Sequence, residues 1–242
     1  MNLCIDIGNT RIKAGLFENN SLEKIFISES LISNSLVREW TKNAPVDRII
    51  LSTVRTIDAS IIGELKTEFT VLILDQNTSL PVTIQYETRD TLGLDRICAA
   101  VAAHDMFPHL PVLAIDAGTC ITYELIDHEG NYLGGAISPG IKMRAKSLNA
   151  FTSKLPLIEL KGEKVELGTT TESSLQMGIV DATRFEMKGF ITHFRRRFEN
   201  LKVILTGGDS GFFEQDVENA IFAAPNLVLQ GLNSILLYNK PA

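Results

Sequence analysis

The residues best suited to chemistry begin at the sixth position, in CIDIGNTRIK. An apolar run, Leu3 to Ile5, leads straight into Asp6, and Gly8, Asn9, Thr10 and Lys13 follow. A turn with glycine at its tight position lets backbone N–H groups approach an anion with no side chain in the way. Asn9 and Thr10 add side-chain donors and Lys13 adds a positive charge, a set that suits a polyphosphate. A carboxylate alone repels phosphate. Facing the same ligand, Asp6 suits a hydrated Mg²⁺ held between carboxylate and phosphates. Taken alone, the stretch also reads as an Asx-turn in which Asp6 bonds the N–H groups of Gly8 and Asn9.

The pattern recurs. LAIDAGTCITYELID repeats LCIDIGNTRIKAGLFE: apolar residues, Asp116-x-Gly118, a threonine at 119, then a second apolar stretch. A third glycine turn, LTGG, stands at 205–208. Three Gly/Thr turns at strand ends are what a nucleotide cleft between two related domains needs. Gly93-Leu94-Asp95-Arg96 is a different constellation. Gly93 allows the backbone close to a substrate, and Asp95 stands just before a helix. There it can orient an alcohol and take its proton, or cap the helix. Arg96 can bond carboxylate or amide oxygens, or pair with an acid such as Asp90. The four histidines, His104, His109, His128 and His193, show no zinc-ligand spacing.

The elements that must carry these residues follow from apolar periodicity. Residues 2–6 and 12–18 read as strands joined by the Gly8–Asn9 turn, with a third strand at 21–27. Helical spacing marks 30–42, 57–69 (with Asp58 or Ser60 near its start) and 94–107. RIILSTV (48–54) and VLILD (71–75) are continuous apolar runs, as expected of strands covered on both faces. Residues 76–92 read as a loop with a short extended piece. The second half opens with a strand, turn and strand at 112–127. Helices are expected at 141–150, over 173–199 with Gly178 and Gly189 as weak points, and in the second half of 225–240. A strand at 203 runs into the Gly-Gly turn. Strands and helices alternate in both halves, so the fold class is α/β with mixed sheets, divided at about 1–110 and 111–242.

Composition sets outer bounds. The 242 residues are 45% hydrophobic and 21% charged, ordinary for a globular protein. A net charge of −6 argues against a broad nucleic-acid surface. The basic cluster RRRFEN (195–200) reads as a solvated helix end, and Trp40 as packing. No run approaches the ~18 apolar residues of a membrane span, and the short N-terminal apolar run, broken at Asp6, does not read as a secretory leader. Cys4, Cys98 and Cys120 lie in apolar runs without CxxC spacing, which predicts buried, reduced thiols and a cytoplasmic location.

The duplicated hairpins resemble the actin, Hsp70 and sugar-kinase superfamily. That resemblance implies duplicated actin-like (ribonuclease H-like) domains, each a mixed sheet flanked by helices, with an interdomain nucleotide cleft. Further motifs narrow it: TLGLDRICAAVAAH (91–104), DAGTCITYELID (116–127), GGAISPGIKM (134–143), TTTESSLQMGI (169–179), LTGGD (205–209) and PNLVLQGL (225–232). In that order, after DIGNTRIK (6–13), they resemble type III pantothenate kinase over nearly the whole chain.

The resemblance implies phosphorylation of pantothenate by ATP, the first step of coenzyme A synthesis, with Asp95 as general base. It implies ATP contacts from Asp6, Ile7, Gly8, Asn9, Thr10, Arg11, Ile12, Lys13 and Thr119, with LTGG at the adenosine end. Substrate contacts are implied from Tyr86, Gly93, Leu94, Asp95, Arg96 and Thr171, with the helix behind Thr171 anchored by Gln176 and Gly178. The cofactors implied are Mg-ATP and a monovalent cation, K⁺ or NH₄⁺, at Asp116. A homodimer is implied, in contact through roughly 141–150 and 173–190, with no nucleic-acid or membrane partner. Two alternatives stay open from the residues: a related superfamily kinase acting on another small alcohol or sugar, and a catalytically silent binding or regulatory homologue.

Overall fold

The computed structural model describes residues 1–8, 11–213 and 222–239. It divides into two compact units, Met1–Met106 with Leu227–Ala242, and Phe107–Asn226. The first unit contains strands β1 (Asn2–Ile7), β2 (Ile12–Glu18), β3 (Ser21–Ser28), β4 (Arg48–Thr53), β5 (Thr70–Ile73) and the two-residue β6 (Thr83–Ile84). Its helices are α1 (Asn34–Thr41), α2 (Ala59–Glu68), α3 (Leu94–Met106) and α7 (Leu227–Tyr238). The second contains β7 (Val112–Ala117), β8 (Cys120–Ile126), β9 (Asn131–Pro139), β10 (Lys202–Thr206) and β11 (Phe222–Ala223). Its helices are α4 (Ile141–Ala150), α5 (Thr171–Gln176) and α6 (Ala182–Arg195), with a π-helical turn, Met177–Asp181, joining the last two.

The two sheets repeat one topology. In the first the order is β3-β2-β1-β4-β5. The meander β1–β2–β3 is antiparallel, β4 runs parallel to β1, and β5 parallel to β4. In the second, β7–β8–β9 is the antiparallel meander, β10 runs parallel to β7, and β11 parallel to β10. The duplication read from two hairpins therefore extends to every strand of the repeat.

Strand alternation decides what each face carries. On β1, Leu3, Ile5 and Ile7 join one apolar cluster with Val37 and Trp40 of α1 and Leu65 of α2. Asn2, Cys4 and Asp6 belong to the opposite face. There Asn2 Nδ2 donates to Asn233 Oδ1 of α7 at 2.9 Å, and α3 packs closely on α7. Gly231 makes this packing possible, since a Cβ there would lie 1.9 Å from the Cys98 carbonyl oxygen. The C-terminal helix, expected with the second half, thus belongs to the first unit, because its small and apolar residues complete the cover on β1. Trp40 stacks on Phe26 with ring centroids 5.5 Å apart.

Local signals account for most boundaries. Ser33 caps α1 by accepting from Leu36 N, and Asp58 caps α2 by accepting from Ser60 N. The stretch 173–199 forms one continuous helical run to Arg195, and Gly178 falls inside the π-helical turn rather than breaking it. Cys4 and Cys98 are wholly buried, whereas Cys120, expected to be buried, is half-buried at the start of β8. Among the described residues no helix is long and apolar enough to cross a membrane.

Candidate active site

In the first unit the site grows from the ends of β1 and β2. Asp6 is the penultimate residue of β1, opposite Lys13 on β2 and Ser52 on β4. Residues directly opposite across strands have Cβ atoms about 4.5–5.5 Å apart, so the carboxylate and the ammonium stem share one face. The turn that follows is closed by Gly8 N donating to Arg11 O at 3.1 Å. Arg11 is exposed, while Ile7 and Ile12 are 2% and 1% exposed core residues, leaving only their backbone for a ligand. Asn9 and Thr10 lie outside the described residues.

The Gly93–Arg96 segment opens α3. Asp95 is exposed, and its Oδ1 accepts from the Arg96 N–H at 2.9 Å; it stands inside the first turn of α3, not just before the helix as the sequence suggests. The carboxylate folds back over Gly93: a Cβ at that position would lie 2.4 Å from Asp95 Oδ1. Only glycine leaves room for this rotamer. Arg96 is 7% exposed, and its guanidinium lies over the Tyr86 ring, 5.7 Å from the centroid. Leu94 is half-buried. Gln76 Nε2 donates to Leu92 O at 2.8 Å, fixing the chain just before Gly93.

Cys98, one turn further along α3, ties the two carboxylates together. Burial first, then the negative charges of Asp6 and Asp95 and the neighbouring Cys4 thiol, push its thiol well above the ordinary range. Asp6 and Asp95, far apart in sequence, therefore act on one buried point. Alternation on β1 predicts this, since Cys4 and Asp6 share the face that α3 and α7 cover.

In the second unit Asp116 occupies the position of Asp6, opposite Thr122 on β8 and Thr206 on β10. Gly118 N donates to Cys120 O at 3.0 Å, closing a turn one residue shorter than the first. Thr119 is exposed. The LTGG turn packs directly on this strand end. Gly207 has φ +100°, and a Cβ there would lie 2.5 Å from Asp116 Oδ1. Asp209, 5% exposed, donates its N–H to Ala117 O at 2.8 Å and accepts from Lys142 Nζ of α4 at 2.6 Å. Sequence reading passed over this Lys142–Asp209 pair, although LTGGD and GIKM both carried its residues.

Thr171 lies at the first position of α5 and is exposed. The preceding Thr170 is occupied as the helix cap, accepting from Ser173 N at 3.1 Å, which leaves Thr171 as the free-facing hydroxyl of the pair. Thr171 lines a cavity of about 630 Å³ with Thr169, Thr170 and the apolar side chains of Leu148, Leu155 and Leu175.

Comparison with known proteins fits this geometry. The family model for type III pantothenate kinase matches residues 2–193. A Type III pantothenate kinase of Bacteroides fragilis (strain YCH46) is 44% identical over 241 residues, covering 99% of each chain. The chain belongs to the type III pantothenate kinase family. A second family member, from Christiangramia forsetii, is also 44% identical over 99% of each chain. The fold is shared more widely. A ROK family protein from Streptococcus pneumoniae, solved in complex with sucrose, superposes with a TM-score of 0.53 at 11% identity, over 98% of both chains. The duplicated actin-like architecture is thus shared with solved structures of very different sequence.

Proposed function

We propose that the protein transfers the γ-phosphoryl group of ATP to the primary hydroxyl of pantothenate, giving 4′-phosphopantothenate and ADP, the first step of coenzyme A biosynthesis. The observation that carries this reading is Asp95. It is an exposed carboxylate held over Gly93, beside the stacked Arg96–Tyr86 pair, in a chain that matches the family from end to end. The hydroxyl oxygen forms the new bond to the γ-phosphorus, the bond to the β–γ bridging oxygen breaks, and the hydroxyl proton passes to Asp95. In a loose transition state the proton leaves late, so Asp95 need only orient the alcohol; positioning supplies most of the gain. Arg96 offers donors to the pantothenate carboxylate or amide oxygens, and Tyr86 holds the guanidinium plane. On the nucleotide side the Gly8–Lys13 turn and Thr119 receive phosphate oxygens.

The residues present fit the cations that such a reaction uses. Among the described residues no group of three or more His, Cys, Asp or Glu could hold a metal. A cation would share the carboxylate of Asp6 or Asp116 with ligand oxygens. Asp6 beside Lys13 suits Mg²⁺ carried on the nucleotide, where the ion offsets phosphate charge. The cross-strand neighbours of Asp116 are the hydroxyl-bearing Thr122 and Thr206, oxygen donors that suit K⁺ or NH₄⁺. Met143, Phe151 and Phe185, on or beside α4 and α6, are exposed, which supports a homodimer through these helices. The three cysteines are free, consistent with a cytoplasmic enzyme.

The test is ADP release from Mg·ATP with pantothenate, with and without K⁺ or NH₄⁺, for wild type and Asp95→Asn. Pantothenate-dependent turnover that needs the ion and falls at least about 100-fold in Asp95→Asn is expected. Turnover surviving in Asp95→Asn removes Asp95 as base. No turnover with pantothenate in the folded wild type, but activity on another alcohol, moves the assignment to a related kinase.

A further inference from the structure

The chain from Phe151 to Thr170, between α4 and α5, contains no helix or strand. Loops longer than about 12–15 residues without secondary structure are uncommon in compact domains, and their backbone groups need partners. Here the partners are three buried side chains of the helical run that follows. Gln176, Asp181 and Arg184 are 6%, 4% and 4% exposed.

Their bonds form one continuous set. Gln176 Nε2 donates to Lys161 O at 2.5 Å, and Gln176 Oε1 accepts from Lys161 N at 3.2 Å, the pairing a neighbouring strand would supply. Asp181 Oδ2 accepts from Val165 N at 3.2 Å, and its Oδ1 accepts from Arg184 Nη1 at 2.5 Å. Arg184 Nη2 donates to Gly162 O and to Phe212 O. Ile158 and Leu160 of the same segment pack against the apolar cluster of the unit.

The π-helical turn makes this set possible. In an α-helix, residues five apart point about 140° away from each other. Over Met177–Asp181 the chain takes i→i+5 spacing instead, which brings Gln176 and Asp181 round to the same side. A wider turn is weaker than an α-helical one, so its retention here needs a return. The return is a segment fixed at Lys161, Gly162 and Val165, only a few residues before Gly168–Thr171 and the cavity of about 630 Å³.

We infer that Gln176, Asp181 and Arg184 are positioning residues for the acceptor: they fasten the 157–166 segment to the helix and so set the polar wall of the cavity, Thr169 to Thr171. The inference rests on reading Thr171 as a pantothenate contact. Arg184 has a second consequence. By bonding both Gly162 O and Phe212 O, it ties the 157–166 segment and the segment after the Gly207–Asp209 turn to one side chain.

The experiment uses the full chain with two variants. Gln176→Leu removes both bonds to Lys161 at similar volume; Gln176→Glu keeps an acceptor for Lys161 N and loses the donor. Steady-state kinetics are read alongside hydrogen exchange at the Lys161 and Val165 amides. In Gln176→Leu the exchange at Lys161 should speed at least about tenfold and the KM for pantothenate should rise about tenfold, with kcat and the KM for ATP within about twofold. Gln176→Glu should fall between it and wild type. A purely structural residue would lower the active fraction, and hence apparent kcat, with KM unchanged. Faster exchange with an unchanged pantothenate KM in either folded variant overturns the inference, and so does unchanged exchange. Absence of pantothenate turnover in wild type overturns the proposed function and this inference together, whereas wild-type turnover with an unaltered KM in the variants overturns the inference alone.

Discussion

Gly93→Ala separates the position of the Asp95 carboxylate from the stability of the fold. A Cβ on residue 93 would stand 2.4 Å from Asp95 Oδ1. Ordinary contact needs about 3.4 Å, so the carboxylate must move by about 1 Å or change rotamer. Asp95 is an exposed side chain, so the fold absorbs this cheaply. The main loss is the bond that Oδ1 accepts from Arg96 N at 2.9 Å, worth about 1 kcal/mol. Gly93 is not among the positive-φ residues, so alanine adds no backbone strain. Thermal unfolding should therefore fall by only about 2–4 °C. Catalysis is less forgiving: an error of about 1 Å in a positioned group costs on the order of 100-fold. The assay is kcat for pantothenate phosphorylation beside a melting curve for the same preparation. A variant that melts near wild type and turns over within threefold of it would refute the claim that Gly93 sets the reactive position of Asp95. A variant that simply unfolds would refute the claim that the adjustment is cheap.

Gly63, inside α2 with no atom within 4 Å of a built Cβ, supplies the contrasting case: Gly63→Ala should stabilise by about 0.5–1 kcal/mol in denaturant titration without changing kcat. Glu186 predicts an acid limb of stability. Burial raises its pKa, but bonds from Ser138, Arg144 and Tyr123 outweigh that and hold it below the ordinary 4.5. A depressed carboxylate stabilises the fold above its unfolded pKa and loses that contribution as pH falls through the folded value. Melting temperatures of wild type and Glu186→Gln should therefore differ at pH 7 and converge as pH drops below about 4.5. Thr122→Lys places an ammonium stem opposite Asp116, as Lys13 stands opposite Asp6; turnover should lose its dependence on K⁺ or NH₄⁺ in a titration of added ion.

The hairpins and most helices were legible because their signals are local. Apolar alternation ends at Asp6 and at Asp116, Asp58 stands at the start of α2, and α4 matches its expected 141–150 span. The C-terminal helix was misassigned because its partner is remote: the close approach of Gly231 to Cys98 involves residues far apart in sequence. The Asp95 turn was visible as a motif, but its geometry was not. Asp95 stands in the first turn of α3 with its carboxylate folded over Gly93, so it is not the residue before the helix that the capping reading requires. The family resemblance points to Gln176 as an anchor of its helix, but Asp181, Arg184 and the bonds of the set escaped because their partners include backbone groups of an irregular segment. Neither periodicity nor spacing reports on where a structureless segment finds its hydrogen bonds. The π-helical turn escaped for a related reason: its sequence, MGIVD, is compatible with an ordinary helix, and only the tertiary bonds favour the wider spacing.

On the proposed function, the duplication gives two cations of different kind related surroundings. Both repeats bring an aspartate to the same penultimate position of the first strand, flanked by one antiparallel and one parallel neighbour. Topology alone would make the two sites alike. One difference between them is the cross-strand residue on the antiparallel side. Lys13 puts a positive charge opposite Asp6, which suits the ligand proposed there, phosphates with their own divalent ion. Thr122 puts an uncharged hydroxyl opposite Asp116, which suits the monovalent cation proposed there. The Gly207 turn adds to the difference by approaching Asp116 Oδ1 too closely for a side chain at position 207. If Thr122→Lys left the ion dependence intact while the protein stayed active, the monovalent site would have to lie elsewhere, and the equivalence of the two aspartates would be one of ancestry without a shared role in holding cations.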